Sequence, residues 1–355
     1  MKRDVFAFEF EKLYKMPVFY VLTLMCIVFN IWLFYDSESQ WLEKMETDAQ
    51  FLKYEPTAFA EYYGYDYYAE TSMDEIMKLA KLNQSHGKMA DELIASNYEK
   101  LQNRMEEMTE RESESLTITG ANRLHSHLFA YYLKYMIIEG LLIICLTVVY
   151  SMHFEVVHRT EELALTTRMG FSLFTTKLMV SALFSMLLIT AVMVVTFGVY
   201  FMEIDYSNVW NSCISSNFNT DRRTVNNTYL AVYPYVTWIP MTIKGYMAAS
   251  LGMTVVIFSF FLIFMGLMTL LQKNTVAVLA LTAAGMFGMY FMGEEMHFAS
   301  MLEYVVKFTP VHLVAKCGYW FMDYAPGDTW PMYEAAVLGV WTAITGFILR
   351  RKLKG

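Results

Sequence analysis

Two Glu-x-x-His pairs are the residues whose types and spacing come nearest to a metal site: Glu155/His158 and Glu294/His297. Such pairs build di-metal centres when both project into the core of one helical bundle. An odd number of predicted membrane crossings separates the two pairs, which places them on opposite sides of the bilayer. We therefore do not expect them to converge, and we interpret His158, His297 and also His153 as interfacial residues.

The sequence contains none of the common motifs for nucleotide binding, metalloprotease or serine-hydrolase activity. The only Gly-Lys pair, Gly87-Lys88, is followed by Met and lacks the upstream Gly of a phosphate-binding loop. The zinc-protease motif HExxH and the Gly-x-Ser-x-Gly nucleophile elbow are also absent. The chain is therefore expected to bind no metal or cofactor and to have no ATPase or other catalytic site of its own.

Two polar residues lie inside apolar runs, Asn30 in the first and Glu139 in the second. A carboxyl group facing lipid is costly, so Glu139 is a candidate to line a translocation path or an ion site. It could equally lie one turn from the membrane surface and be hydrated, since Lys134 and Tyr135 are near. Asn30 is a second candidate for the path, and its position is typical of an interhelical hydrogen bond.

The composition is that of a polytopic membrane protein. The 355 residues are 56% hydrophobic and 17% charged, against roughly 25% charged residues in soluble domains. Charge is divided unevenly, with 19 acids and 9 bases in residues 36–130. The segments predicted to be cytoplasmic hold 12 bases and 6 acids, as the positive-inside rule favours. Nucleic-acid binding is disfavoured because no basic patch with interleaved aromatic residues occurs.

The apolar runs predict an all-α membrane protein with six spans. We expect it to lie in the plasma membrane with both termini in the cytoplasm. The predicted spans are 17–35, 131–152, 178–202, 241–271, 275–293 and 332–349. Cytoplasmic parts are 1–16, 153–177, the short turn 272–274 and the tail 350–355, while 36–130, 203–240 and 294–331 lie outside.

The first sixteen residues predict an amphipathic helix along the inner leaflet. Its apolar face comprises Phe6, Phe10, Leu13 and Tyr14. A charged tail that only sets orientation is the alternative. Small residues in 275–293, among them Gly285 and Gly288, predict close helix contacts.

The outer segments differ in character. Residues 36–130 predict a mostly helical domain, with a tyrosine-dense stretch at 61–68 and an apolar period of three and four over 94–108. Residues 203–240 are predicted to be loop, and 294–331 to form short helices sunk into the interface or re-entrant. A disulfide between Cys213 and Cys317 is compatible with both lying outside.

Residues 153–177 connect the second and third spans and carry six charged side chains. A helical interpretation gives them a charged side and an apolar side at the membrane surface. An ordinary solvated loop needs no apolar face. The segment is therefore interpreted as a docking element for a soluble partner, with a plain loop as the alternative.

The chain resembles the permease subunits of ABC-2-type ABC transporters of Gram-positive bacteria. The resemblance is carried by the basic start FEFEKLYKMPVFYVLTLM, by the acidic, Leu-Thr-rich stretch 161–167 with Lys177 after it, and by six spans with a semi-apolar outer segment before the last. Arg168-Met169-Gly170 departs from the family pattern, which has a proline and an arginine there. The domain after the first span is also larger than in the shortest members.

The resemblance implies that 153–177 contains a coupling helix seated in a groove of a P-loop ATPase subunit. ATP and Mg would bind to that partner and not to this chain, and a second permease subunit would complete a homo- or heterodimer. The residues expected to contact the ATPase are Glu161, Glu162, Leu163, Leu165 and Arg168. The implied function is export of an amphipathic, peptidic or lipid-like substrate.

A different class of function also fits the sequence. A membrane sensor or immunity protein would bind a peptide through 36–130 without transporting it. A permease is distinguished from it by the need for an ATPase partner.

Overall fold

The computed structural model describes residues 2–51, parts of 92–107, 126–158, 170–207, 210–211, 213–214, 222–225, 228–232, 236–294, 308–323 and 333–354. The helices are α1 Lys2–Tyr14, α2 Pro17–Phe51, α3 Leu133–Val157, α4 Gly170–Glu203, α5 Ile243–Leu271, α6 Thr275–Glu294, α7 Pro310–Ala315 and α8 Tyr333–Lys354. A π-helical turn, Ser126–Tyr132, leads into α3. The strands are β1 Arg222–Val225, β2 Thr228–Val232, β3 Val236–Thr237 and β4 Met322–Asp323.

Four helical stretches are long and apolar enough to cross a membrane: Pro17–Asp36, His127–Val157, Leu173–Glu203 and Ile243–Leu271. The chain is thus a helical membrane protein, as its composition predicts. The apolar part of α6, Thr275–Tyr290, is shorter than a full span. Helix α8 is not among the four, and it ends in the basic residues of the predicted tail. Four of the six predicted spans are therefore supported by length and composition.

Helix α3 is the centre of the bundle. It is apolar around its whole circumference, which is typical of a helix enclosed by others. In the most apolar part of α3, 67% of the residues are buried. The corresponding figure for α2 is 33%, so α2 lies at the periphery. Side chains of α3 with no exposed surface include Ile137, Ile143 and Val148. Helices α2, α4, α5 and α6 all pack against it.

Close approach of helices occurs at two glycines, and not at the small residues of α6. A Cβ on Gly140 of α3 would lie 2.4 Å from the ring of Phe258 on α5, and one on Gly266 would lie 3.1 Å from Leu178. A Cβ on Gly285 or Gly288 would meet nothing within 4 Å in the described structure. Within the described residues, Gly285 and Gly288 therefore make no close helix contact of the kind that their size would allow.

The outer segments contain strands where sequence predicts loop. Strands β1 and β2 pair antiparallel as one ribbon, and β3 pairs with β4 as a second, joining 203–240 to the segment before α8. The loop prediction for 203–240 is wrong because these pairings depend on partners that its polar sequence does not reveal. Arg104 Nε donates to Thr237 O at 3.1 Å. The described part of the inserted domain therefore touches the second ribbon.

Helix α7 is a short buried helix within 294–331, and it packs beside the start of α3. Gly318, just after it, has φ of +93° and lies so close to Ala130 that a Cβ would be 2.4 Å from the Ala130 Cα. Only glycine combines that conformation with that approach. Cys317 Sγ donates to Phe129 O at 3.4 Å, and both Cys213 and Cys317 are free thiols. The disulfide considered from sequence is absent between these two described residues.

The bundle has two distinguishable ends. At one, the π-helical turn, α7 and the second ribbon lie together, and we refer to it as the ribbon end. At the other, α1 lies against α3 and α4, and we refer to it as the α1 end. The predicted tyrosine-dense stretch 61–68 lies outside the described residues.

Substitution of Gly140 by Ala tests the central contact between α3 and α5. Because Phe258 is 1% exposed and cannot move freely, the added methyl should lower the free energy of unfolding by about 1–3 kcal/mol. The measurement is denaturant unfolding in bicelles. Gly198→Ala on α4 is the matched control, since a Cβ there meets nothing within 4 Å. Equal losses in the two variants would contradict the packing described.

Candidate functional site

Four charged side chains form a cluster at the α1 end, which we call the four-charge cluster: Glu9, Lys12, Glu155 and Lys177. Lys12 Nζ lies 2.8 Å from Glu9 Oε1 and 2.9 Å from Glu155 Oε1. Lys177 Nζ pairs with the other oxygen, Glu155 Oε2. It also donates to Ser151 O at 2.9 Å. Glu155 of α3 thereby holds one lysine from α1 and one from α4.

Apolar contacts of α1 position its half of the cluster. Leu13 has no exposed surface, and the ring of Phe10 meets Phe184 of α4 edge to face at 5.8 Å. Phe6 packs against the same core. Tyr14 is 61% exposed and does not pack against this core as the other three residues do. Its place is taken by Glu9, because the pairing with Lys12 lets a carboxylate lie among apolar groups.

The cluster balances two positive against two negative charges in a nearly closed environment. The side chains of Lys12 and Glu155 are 12% and 14% exposed, and those of Lys177 and Glu9 are 5% and 3% exposed. Burial alone lowers the pKa of Lys12, but its hydrogen bonds to Glu9 and Glu155 outweigh burial and raise that pKa above its usual value. Lys12 is therefore charged throughout the physiological pH range.

The resemblance implies a coupling helix in the segment 153–177. The segment between the two long helices is shorter than that range. Helix α3 continues to Val157 and α4 begins at Gly170, so Glu155 and Lys177 lie on the span helices themselves. Both helices extend past their apolar runs, and Glu155 and Lys177 neutralise each other there. The predicted docking residues Glu161, Glu162, Leu163, Leu165 and Arg168 lie outside the described residues.

His153 joins α3 to the turn between α5 and α6. Its Nε2 lies 3.3 Å from Thr269 O, and its Nδ1 lies 3.0 Å from Thr275 Oγ1. Since a carbonyl only accepts, Nε2 donates to it and Nδ1 accepts from the hydroxyl. His153 is 3% exposed. Its role is thus to cap helix ends, and the interfacial interpretation from sequence is wrong for this residue because both ring nitrogens have partners inside the bundle.

Neither Glu-x-x-His pair contributes to a metal site within the described structure. Glu155 is held by lysines, and His158 stacks on Phe154 with its Nδ1 2.8 Å from Phe154 O. Residues 295–297 lie outside the described residues. No group of three or more potential ligands occurs among the residues that the structure describes.

A second polar group, which we call the polar junction, joins α2, α3 and α4 through Asn30, Glu139 and Thr196. Asn30 Nδ2 donates to Glu139 Oε2 at 2.8 Å and to Thr196 Oγ1 at 3.3 Å. Asn30 has no exposed surface and Glu139 is 9% exposed. Glu139 is thus enclosed by helices, and the two residues named as path candidates lie in direct contact.

Aromatic rings cover the polar junction on the side of the ribbon end. Phe34, Tyr132 and Tyr200 come from the same three helices, and their centroids are 5.8–6.0 Å apart. None of the three is more than 2% exposed. Sequence reasoning missed these rings and Thr196, since one hydroxyl or ring in an apolar span carries no signal about its neighbours.

No family model, no curated protein and no solved structure matches this chain. The four-charge cluster and the polar junction are therefore interpreted from their own geometry.

Substitution of Glu155 by Gln should cost the four-charge cluster about 3 kcal/mol of unfolding free energy, because it leaves buried lysines without their shared carboxylate. Removal of the exposed Lys15–Glu11 pair by Lys15→Met should cost less than about 0.5 kcal/mol; these side chains are 71% and 55% exposed. Unfolding in mixed micelles measures both. A Glu155→Gln chain as stable as the Lys15→Met chain would show that the cluster contributes nothing.

Proposed function

We propose that this chain is the transmembrane permease subunit of an ATP-driven exporter of the ABC-2 type, with ATPase subunits bound in trans. The single observation that supports this most is the four-charge cluster. It ties α1, α3 and α4 together within a few residues of where the connecting segment leaves α3 and returns as α4. A force applied to that segment would be transmitted to all three helices at once.

The cluster suits a coupling role because it is stiff and short-range. Glu155 lies two residues before the end of α3, and Lys177 lies in the second turn of α4. Packed helices repack between discrete arrangements and do not deform continuously. Movement of a docked ATPase would therefore shift α1 and both span helices as one body.

The proposal includes six spans with the α1 end in the cytoplasm. Helix α8 is consistent with a sixth span: Glu334 accepts from Phe321 N at 3.0 Å near the ribbon end, while Leu349 packs against Phe174 and Leu267 near the α1 end. The basic residues that close α8 then fall on the cytoplasmic side, as the positive-inside rule favours. A second permease subunit and an amphipathic, peptidic or lipid-like substrate complete the proposal.

Co-purification with the ATPase encoded nearest to this chain tests the proposal. The full chain should retain the ATPase and stimulate its hydrolysis of ATP. Glu162→Lys combined with Leu165→Asp should abolish retention, since it reverses a charge and places a carboxylate on the apolar side. Glu155→Gln should retain the ATPase but lose stimulation, because docking survives while transmission through the cluster fails.

Met202→Asp combined with Glu203→Lys is the matched control, with the same two kinds of change at the other end of α4. Both residues are exposed, so the control should bind and stimulate like the parent. Failure of the parent to retain any ATPase, or unaltered retention by the first double variant, would refute docking at this segment. The sensor function would then be the better account.

A further inference from the structure

We infer that the polar junction is a proton-binding site, at which Glu139 holds a proton while α2, α3 and α4 are packed together. Three observations in the middle of the bundle carry this: how Glu139 is partnered, which acceptor beside it is unused, and how the surrounding rings shield it.

The first observation is that Glu139 has donors but no cation beside it. Its charged partners would have to come from α2, α4, α5 or α6, and α6 contains no lysine or arginine. Helix α2 contributes Asn30 and the thiol of Cys26, and α4 contributes Thr196 through Asn30. Helix α5 presents the Phe258 ring to Gly140. Among the described residues, Glu139 therefore lacks the lysine or arginine that a buried carboxylate needs.

The other titratable groups near this level are accounted for. Lys134 lies on α3 itself, more than one helical turn from Glu139 toward the ribbon end. Its Nζ is 5.8 Å from the ring centroid of Tyr290 on α6. Tyr132 and Tyr200 belong to the ring cover. Asn30 lies within the candidate span Pro17–Asp36, about 9 Å along α2 from Asp36 at 1.5 Å per residue.

The second observation is an unused acceptor. Asn30 Oδ1 is buried and accepts no hydrogen bond from the described residues. Its sister atom Nδ2 already donates to Glu139 Oε2. An ionised carboxylate only accepts, so it would leave Oδ1 without a donor. A protonated carboxyl supplies one O–H, and an amide and a carboxylic acid then pair reciprocally.

The third observation is that the polar side chains are in direct contact, which leaves room for a proton but not for a larger ion. The 2.8 Å between Asn30 Nδ2 and Glu139 Oε2 places no ion between those atoms. Toward the ribbon end, Phe34 and Tyr200 follow Asn30 and Thr196 by one helical turn, and these two rings and Tyr132 are at most 2% exposed. Loss of the proton would place an unpaired charge in this environment, which favours separation of α2 and entry of water. Binding of the proton is thereby linked to closure of the three helices.

Infrared difference spectroscopy of the full chain in liposomes tests the proton directly. At neutral pH, with choline as the only added cation, the parent should show the C=O stretch of a protonated carboxylic acid. Glu139→Gln should lose this band. Glu203→Gln, which removes an exposed carboxyl from the end of α4, should keep it. A parent spectrum without the band, or a band unaffected by Glu139→Gln, would overturn the inference.

Replacing choline by sodium at constant pH separates a proton from a metal cation. The band should persist, and its loss in sodium would identify a metal-cation site and overturn the proton assignment. Asn30→Leu covers the case in which Glu139→Gln does not fold. It should move the band to higher frequency because the carbonyl loses its donor, and an unshifted band would refute the pairing.

Alkylation of Cys26 tests the link to helix separation. Cys26 is 5% exposed on α2 beside Glu139, and the other three cysteines can be replaced by alanine. Thiol reactivity rises with pH by itself, so the parent is compared with Glu139→Gln. The ratio of their rates should grow with pH, and a constant ratio would refute the link. Neither outcome bears on ATPase docking, because the junction and the four-charge cluster lie at different depths.

Discussion

A polar group inside this bundle must find its partner within the protein, because hydrocarbon offers none. That constraint explains both polar groups described above. Glu155 enters a buried position because two lysines neutralise it, and Asn30 does so because two side chains accept its amide hydrogens. In each case the partners come from different helices. The polar contacts thereby fix which helices are neighbours, whereas apolar packing alone would allow many arrangements.

The two proposals assign different tasks to the two polar groups. The four-charge cluster is balanced in charge and ties the short helix α1 to the ends of two spans, which suits the transmission of a mechanical load. The polar junction lacks one hydrogen-bond donor, since Asn30 Oδ1 accepts no bond from the described residues, and three buried rings lie toward the ribbon end from it. This arrangement suits the exchange of a small ligand. Both include α3 and α4. A change at one level would therefore be felt at the other through the same pair of helices.

Central packing depends on glycine where the helices approach most closely. Gly140 admits the Phe258 ring between α3 and α5, one residue after Glu139. The polar junction and this contact thus lie on adjacent residues of α3 and point to different neighbours. A helix with partners on every side can carry a polar residue on one face and a tight apolar contact on the next.

Sequence by itself determined the membrane class, the helical character and the approximate positions of four of the six predicted spans, because hydrocarbon selects long apolar runs regardless of what packs against them. It also identified Asn30, Glu139 and α1 as residues and segments of interest. The charges of 153–177 mark the ends of two apolar runs, but sequence did not reveal that both helices continue beyond these ends, where Glu155, Lys12 and Lys177 neutralise one another.

Tertiary structure alone decided the partners. Residues more than a hundred positions apart, such as Asn30 with Glu139 and Lys12 with Glu155, meet only because the bundle folds back on itself. The ribbon of β3 and β4, the buried place of Glu9 and the outward direction of the small residues of α6 have the same origin. Each depends on what lies across an interface, and periodicity along one chain segment contains no information about that.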